Sequence, residues 1–218
     1  MSEAPTETVG VPWTPEIDRI LAKWCDHAKC YEWMHAEAFS LYDRRARSFM
    51  VGINCLTAVS GVSNVIAGGY SIGGFQVAWL FGGISIFVST LNILQDKLGY
   101  AASSILHKRL ASDWGSIRAE IEGIIIVPYA GRKDCKTFLK FIKADINAAQ
   151  KEASTIPEII RDACLEKFNK IQGFDIPDIC GQMEHTEVYL GAEEPVPRLV
   201  TGRSGGASTQ DPITRINP

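Results

Sequence analysis

Two cysteines and two histidines near the start of the chain are residue types that bind zinc. They are Cys25, His27, Cys30 and His35, and zinc takes thiolate sulfur and imidazole nitrogen in four-coordinate sites. Their spacing matches no compact zinc motif, and on a helix the four side chains would lie on different faces. We therefore predict no metal site at these residues and no cofactor.

No catalytic signature accompanies these residues. The chain lacks the GxxxxGKS/T, GxSxG, HExxH and paired CxxC patterns, and its four histidines are dispersed. Its glycine pairs lack the strand–turn–helix setting of a phosphate-binding loop. We predict that the protein is not an enzyme. The net charge of −3 leaves no basic excess to neutralise phosphates, so we expect no nucleic acid partner.

Small and polar residues recur at helical spacing in the middle of the chain. The two series, each separated by steps of three and four, are Asn54, Thr57, Gly61, Asn64 and Gly68, then Ala78, Gly82, Ser85, Ser89 and Asn92. Each series predicts one stripe along a helix. Small residues let helix backbones approach in lipid, and hydroxyl and amide groups hydrogen-bond across such contacts. The stripes either face each other within one hairpin, or face other subunits or line a wet pore after oligomerisation.

Both stripes lie in a long segment without ionisable residues. Between Arg47 and Asp96, 48 consecutive residues include no Asp, Glu, Lys, Arg or His. A transmembrane helix needs roughly 20 apolar residues, so we predict two spans, at about 49–67 and 75–94. Four glycines within 68–74 predict the turn between them. A buried helical hairpin in a soluble protein is the alternative, because the first segment is only moderately apolar.

Basic residues flank the predicted spans on their outer sides. Arg44, Arg45 and Arg47 precede the first span, and Lys97 follows the second, whereas the connecting turn carries no charge. The excess of Lys and Arg in cytoplasmic segments then places both termini on the cytoplasmic side of the membrane. The five cysteines outside the spans are expected to be reduced thiols there.

Amphipathic patterns outside the uncharged segment predict four soluble helices. Their expected bounds are 15–47, 96–127, 134–153 and 157–171. The first two are expected to continue the spans without a break. The predicted fold is therefore all-α, a two-helix transmembrane hairpin continuing into a soluble helical bundle. A flexible arm at 1–14 and an irregular Pro/Gly-rich tail at 173–218 complete it.

The sequences of these segments carry a family resemblance. The entry helix contains WMHAEAFSLYDRRAR, and the exit reads LNILQDKLGYAASSILHKRLASDWGSIRAEIEGI, where His107 is followed by Trp114 and Ile117. In this order the segments, from about 24 to 171, resemble the SLATT family of two-transmembrane proteins. The later Ile156–Pro157 before a helix resembles versions from large DNA viruses. The resemblance implies a two-transmembrane protein, and in bacteria a membrane effector of conflict systems that is coupled to nucleotide-sensing partners absent from this chain.

Two functions are compatible with these features. We expect a non-enzymatic integral membrane anchor or scaffold, whose partners are the lipid bilayer and proteins bound by the bundle and tails. In a virion it would be a minor structural protein linking an inner membrane to capsid proteins. The alternative is an oligomeric pore-forming membrane effector of the SLATT type, which requires a homo-oligomer.

Overall fold

The computed structural model describes residues 11–67, 71–72 and 75–181, and it describes side chains at 11–62 and 79–181. The chain divides into two units, Met1–Glu184 and His185–Pro218, and all described residues belong to the first. Most of the predicted arm and tail, together with the glycines of the predicted turn, lie outside the described residues.

One helix of 53 residues, α1 (Pro15–Ala67), runs from the bundle through the first uncharged segment. Its start follows from the local sequence, because the N–H that Pro15 lacks is not needed in a first helical turn. The Thr14 hydroxyl accepts a hydrogen bond from the Ile17 N–H at 3.4 Å. No break separates the predicted soluble helix from the predicted span.

The second uncharged segment is separated from the bundle at Gly99. A short antiparallel pair, β1 (Ser71–Ile72) and β2 (Phe75–Gln76), precedes α2 (Val77–Leu98), and α3 (Tyr100–Ile125) follows Gly99. Gly99 has a φ of 60°, in the left-handed region that favours glycine. The prediction of one unbroken helix here is wrong, because this residue interrupts the right-handed helical conformation.

Two shorter helices complete the bundle, α4 (Cys135–Lys151) and α5 (Glu158–Phe168). The Asp134 carboxylate caps α4 by accepting a hydrogen bond from the Thr137 N–H at 2.9 Å. Pro157 precedes α5 as its N-cap and not in its first turn.

Two clusters of buried apolar side chains form the core. The first lies between α1, α3 and α4 and includes Leu21, Ala28, Trp114, Ile121 and Ile142. The second lies between α1, α5 and the residues after α5 and includes Met34, Ile160, Cys164, Ile176 and Cys180. α1 contributes to both clusters, so the bundle is organised around this helix.

The first described residues of the predicted irregular tail contribute to the core. Ile176 and Cys180 are only 3% and 6% exposed, and a 3-10 turn spans Asp178–Cys180. The Cys180 Sγ lies 3.8 Å from the Met34 Sδ of α1. Proline and glycine content indicates irregular backbone, but it does not exclude burial, because an irregular segment can still insert apolar side chains into a core.

The described chain is all-α apart from the two-residue β pair, in agreement with the predicted fold class. Within the described part, no helix combines the length and the apolar composition that crossing a bilayer requires. The transmembrane character of the hairpin therefore stays a prediction.

Candidate functional site: the uncharged helix pair

The uncharged part of α1, which starts at 48, packs antiparallel to the uncharged part of α2, 77–95, and we name these two segments the uncharged helix pair. Near its middle, the hydroxyl oxygens of Ser60 and Ser85 lie 2.7 Å apart. At its base, the rings of Phe49 and Tyr100 have centroids 5.9 Å apart. The side chains that the structure shows as buried in this pair are Ile53, Ser60 and Val88.

Polar side chains of the pair hydrogen-bond within their own helices. The bonds run from Thr57 to the Ile53 carbonyl at 2.8 Å, from Ser85 to Phe81 at 3.0 Å, from Thr90 to Ile86 at 3.0 Å and from Asn92 to Val88 at 3.2 Å. Such bonds satisfy donors without water, so these residues are compatible with an apolar environment.

Large apolar side chains cover the outside of the helix pair. Ten of them are at least 44% exposed, namely Met50, Val51, Val59, Val62, Trp79, Leu80, Ile86, Phe87, Ile93 and Leu94. Soluble monomeric proteins rarely expose contiguous apolar patches of more than a few hundred Å². With no ionisable side chain among them, this surface matches an apolar medium better than water.

Among the side chains that the structure describes, Ser85 is the stripe residue that hydrogen-bonds to the other helix. Ser85 bonds to Ser60, which lies beside the stripe and was not predicted. A Cβ added at Gly61 or at Gly82 would meet no heavy atom within 4 Å. The periodicity of the sequence specifies spacing along each helix, but not the rotation of one helix against the other.

The other stripe residues divide into an exposed group and a group without described side chains. The exposed ones are Asn54, Thr57, Ser89 and Asn92. The side chains of Asn64 and Ala78, and the whole of Gly68, lie outside the described residues. Most described stripe residues therefore face away from the partner helix, where a second molecule could reach them.

A buried pair of histidines, which sequence reasoning missed, joins α1 to α3 below the helix pair. His35 and His107 are fully buried, and their Nδ1 atoms lie 2.8 Å apart. The ring of Tyr42 stacks on His107 with centroids 5.3 Å apart. The only signal was the position of His35 in the apolar stripe of its helix. The helix periodicity did not indicate that residues 72 positions apart would meet.

Burial and proximity hold both imidazoles neutral. Burial, with a smaller contribution from His107, lowers the pKa of His35 from 6.5 to about 4, and burial lowers the pKa of His107. In the neutral pair one Nδ1–H donates to the other Nδ1. Both Nε2 atoms are buried without a hydrogen-bond partner among the described residues.

The four residues considered for zinc are dispersed in the structure. Cys25 contacts α3, His27 pairs with a carboxylate after α5, Cys30 belongs to the second core cluster, and His35 pairs with another histidine. In the described ranges, no group of three or more His, Cys, Asp or Glu side chains is arranged to hold a metal ion.

No protein-family model, curated protein or solved structure matches this chain. The resemblance to the SLATT family therefore stays a prediction.

Proposed function

We propose that the protein is a non-enzymatic membrane anchor and scaffold, inserted in a bilayer through the uncharged helix pair. The supporting observation is the set of exposed large apolar side chains on the uncharged helix pair, whose two segments carry no ionisable residue. Transfer of apolar surface from water to hydrocarbon contributes about 25 cal/mol per Å². Ten large side chains therefore favour insertion strongly.

The helical bundle is the part that would contact protein partners. α1 runs without interruption from the bundle into the uncharged segment. A force that a bound partner exerts on the bundle would therefore act on the membrane-inserted segment as well. The arginines at 44, 45 and 47 and Lys97 support an orientation with the bundle and both termini on the cytoplasmic side. In a virion, the same arrangement would link an inner membrane to a capsid.

Alkaline carbonate extraction of membranes tests insertion directly. We expect the full chain to remain in the membrane pellet and the V59R/F87R variant to appear in the supernatant. Val59 and Phe87 are 57% and 56% exposed, so arginine disturbs little packing in the protein itself. In the bilayer, an arginine at the centre of a helix costs roughly 2.5–3.5 kcal/mol.

A matched variant separates insertion from general effects of charge. Ile105 and Ile126, at 71% and 81% exposure, lie on the bundle side, so I105R/I126R adds the same two charges outside the proposed membrane region. This variant should stay in the pellet with the unmutated chain. Recovery of the unmutated chain in the supernatant would contradict the proposal.

The outward-facing stripes favour one alternative, a homo-oligomer that forms a pore. Gly61 and Gly82 leave open space beside the backbone, which suits close approach of another helix in lipid. A pore should release a small dye from liposomes that contain the purified protein, and N54L should reduce the release. An anchor should release none.

A further inference from the structure

A cleft of about 410 Å³ opens at the base of the uncharged helix pair. It lies where the charged part of α1 meets the uncharged part, and its walls come from α1 and the first residue of α3. The lining residues are Leu41, Arg44, Arg45, Ser48, Phe49 and Tyr100. We name it the basal cleft.

Two guanidinium groups bring positive charge to the basal cleft. Among the described residues, no carboxylate forms an ion pair with Arg44 or Arg45, whereas their neighbour Arg47 pairs with Asp43. The Arg45 guanidinium lies 5.9 Å from the centre of the Tyr100 ring. Unpaired arginines together with a serine hydroxyl are suited to a phosphate group, because guanidinium donors match its oxygen atoms.

The remaining walls of the basal cleft are apolar or aromatic. Leu41 and Phe49 are apolar, and Tyr100 has a hydroxyl on an aromatic ring, the kind of side chain that is enriched at membrane–water interfaces. The interruption at Gly99 lies next to Tyr100, at the same level as Phe49. A lining that combines positive charge with apolar and aromatic surface matches a molecule with a phosphate head and a hydrocarbon body.

We propose that the basal cleft binds the phosphate of a phospholipid whose headgroup carries net negative charge. This inference rests on the proposed membrane insertion, which brings the cleft to the level of the headgroups. Arg44 and Arg45 bind the phosphate oxygens, Ser48 donates a hydrogen bond to them, and Phe49 and Leu41 contact the glycerol and the first acyl carbons. The lipid would thereby hold α1 at a defined depth.

Spin-labelled lipids measure this preference in the full chain. The protein is reconstituted in phosphatidylcholine vesicles, and electron paramagnetic resonance gives the protein-bound fraction of spin-labelled phosphatidylglycerol relative to spin-labelled phosphatidylcholine. We expect about a fivefold or greater preference for phosphatidylglycerol, since one unpaired basic residue near a membrane surface contributes about a factor of five towards anionic lipid and the cleft supplies two. Arg47 contributes less because Asp43 neutralises it. In R44Q/R45Q most of the preference should be lost.

The matched control is R47Q/K97Q, which removes the same charge at the same level but from residues outside the cleft lining. It should keep most of the preference. An equal loss in both double variants would replace the cleft by an unspecific basic belt and overturn the proposal. Circular dichroism of each variant verifies that the helices are retained.

Two further outcomes distinguish a lipid phosphate from free phosphate, and a failure of membrane insertion from a failure of lipid binding in the basal cleft. Inorganic phosphate at 20 mM should displace no more lipid than sodium chloride of equal ionic strength. Stronger displacement would assign the cleft to free anions and overturn the lipid proposal. A protein that never enters the vesicles contradicts membrane insertion, whereas an inserted protein without lipid preference contradicts the cleft alone.

Discussion

At the scale of single residues, the paired histidines are fully buried polar side chains of the described chain. His35 and His107 share one hydrogen bond of 2.8 Å and leave two buried Nε2 atoms without a partner. One of these is a donor and the other an acceptor, because the neutral pair contains two different tautomers. A buried unsatisfied group costs about 1–3 kcal/mol, so this pair specifies how α1 meets α3 more than it stabilises the fold.

The histidine pair predicts a loss of stability in mild acid. The unfolded chain takes up protons at the ordinary pKa of 6.5, whereas folded His35 does so only near 4. The free energy of unfolding should therefore be highest above pH 6.5 and fall as the pH drops to 4, by about 3 kcal/mol for His35. His107 acts in the same direction. Urea unfolding of the protein in mild detergent, followed by circular dichroism at several pH values, measures this.

Two variants assign the pH effect to the pair. H35L/H107L replaces both partners by apolar groups, and it should remove most of the pH dependence between 6.5 and 4. I117V removes one methyl group from a buried position of the helix that carries His107 and changes no titratable group, so it should leave the pH dependence unchanged. Equal pH profiles for the unmutated protein and H35L/H107L would show that other groups are responsible.

At the scale of elements, the rotation of the two uncharged helices about their axes determines which residues meet. Ser60 is 5% exposed and bonds to Ser85, whereas a side chain at the adjacent Gly61 would project into open space. One position along a helix is about 100° of rotation, so adjacent residues have opposite roles in this contact.

Leucine substitutions at these adjacent positions should have opposite results. S60L removes a hydrogen bond and overfills a buried position, which should cost about 2 kcal/mol and lower the midpoint of thermal unfolding in detergent. G61L should be tolerated, because nothing lies within 4 Å of its Cβ. A G61L variant as unstable as S60L would mean that the two helices are rotated differently from this arrangement.

The junction between α2 and α3 requires glycine because of its backbone conformation and not because of close packing. At Gly99 a Cβ meets no neighbouring atom, so the cost of G99A arises from its φ of 60° alone. We expect a loss of about 1–2 kcal/mol in the free energy of urea unfolding. G123A, at an exposed position in the last turn of α3 without a positive φ, should instead stabilise by up to about 1 kcal/mol. Equal effects of the two substitutions would contradict the left-handed junction.

At the scale of the whole molecule, the bundle includes residues beyond α5. Ile176 and Cys180 belong to the second core cluster together with Met34 of α1. A chain ending at Glu184 retains these contacts and should unfold with the stability of the full protein. A chain ending at Gly173 should lose about 3–5 kcal/mol, since it no longer buries these apolar side chains. Urea unfolding compares the two truncations, and equal stabilities would exclude residues 174–180 from the core.

Much of this architecture follows from patterns along the chain. The all-α class, the cap at Asp134 and the long uncharged segment are local properties, because hydrophobic period, capping residues and charge act over a few neighbouring positions. The start of α1 at Pro15 belongs to the same group.

Other features depended on tertiary packing. The hydrogen bond between His35 and His107 and the burial of Ile176 depend on residues that are distant in sequence. The contact through Ser60, and not through Gly61, depends on helix rotation. The residue sequence by itself determined where helices form and where charge is absent. Only the tertiary structure decided which faces of those helices meet, because the relative rotation of two helices depends on the shape of both surfaces at once.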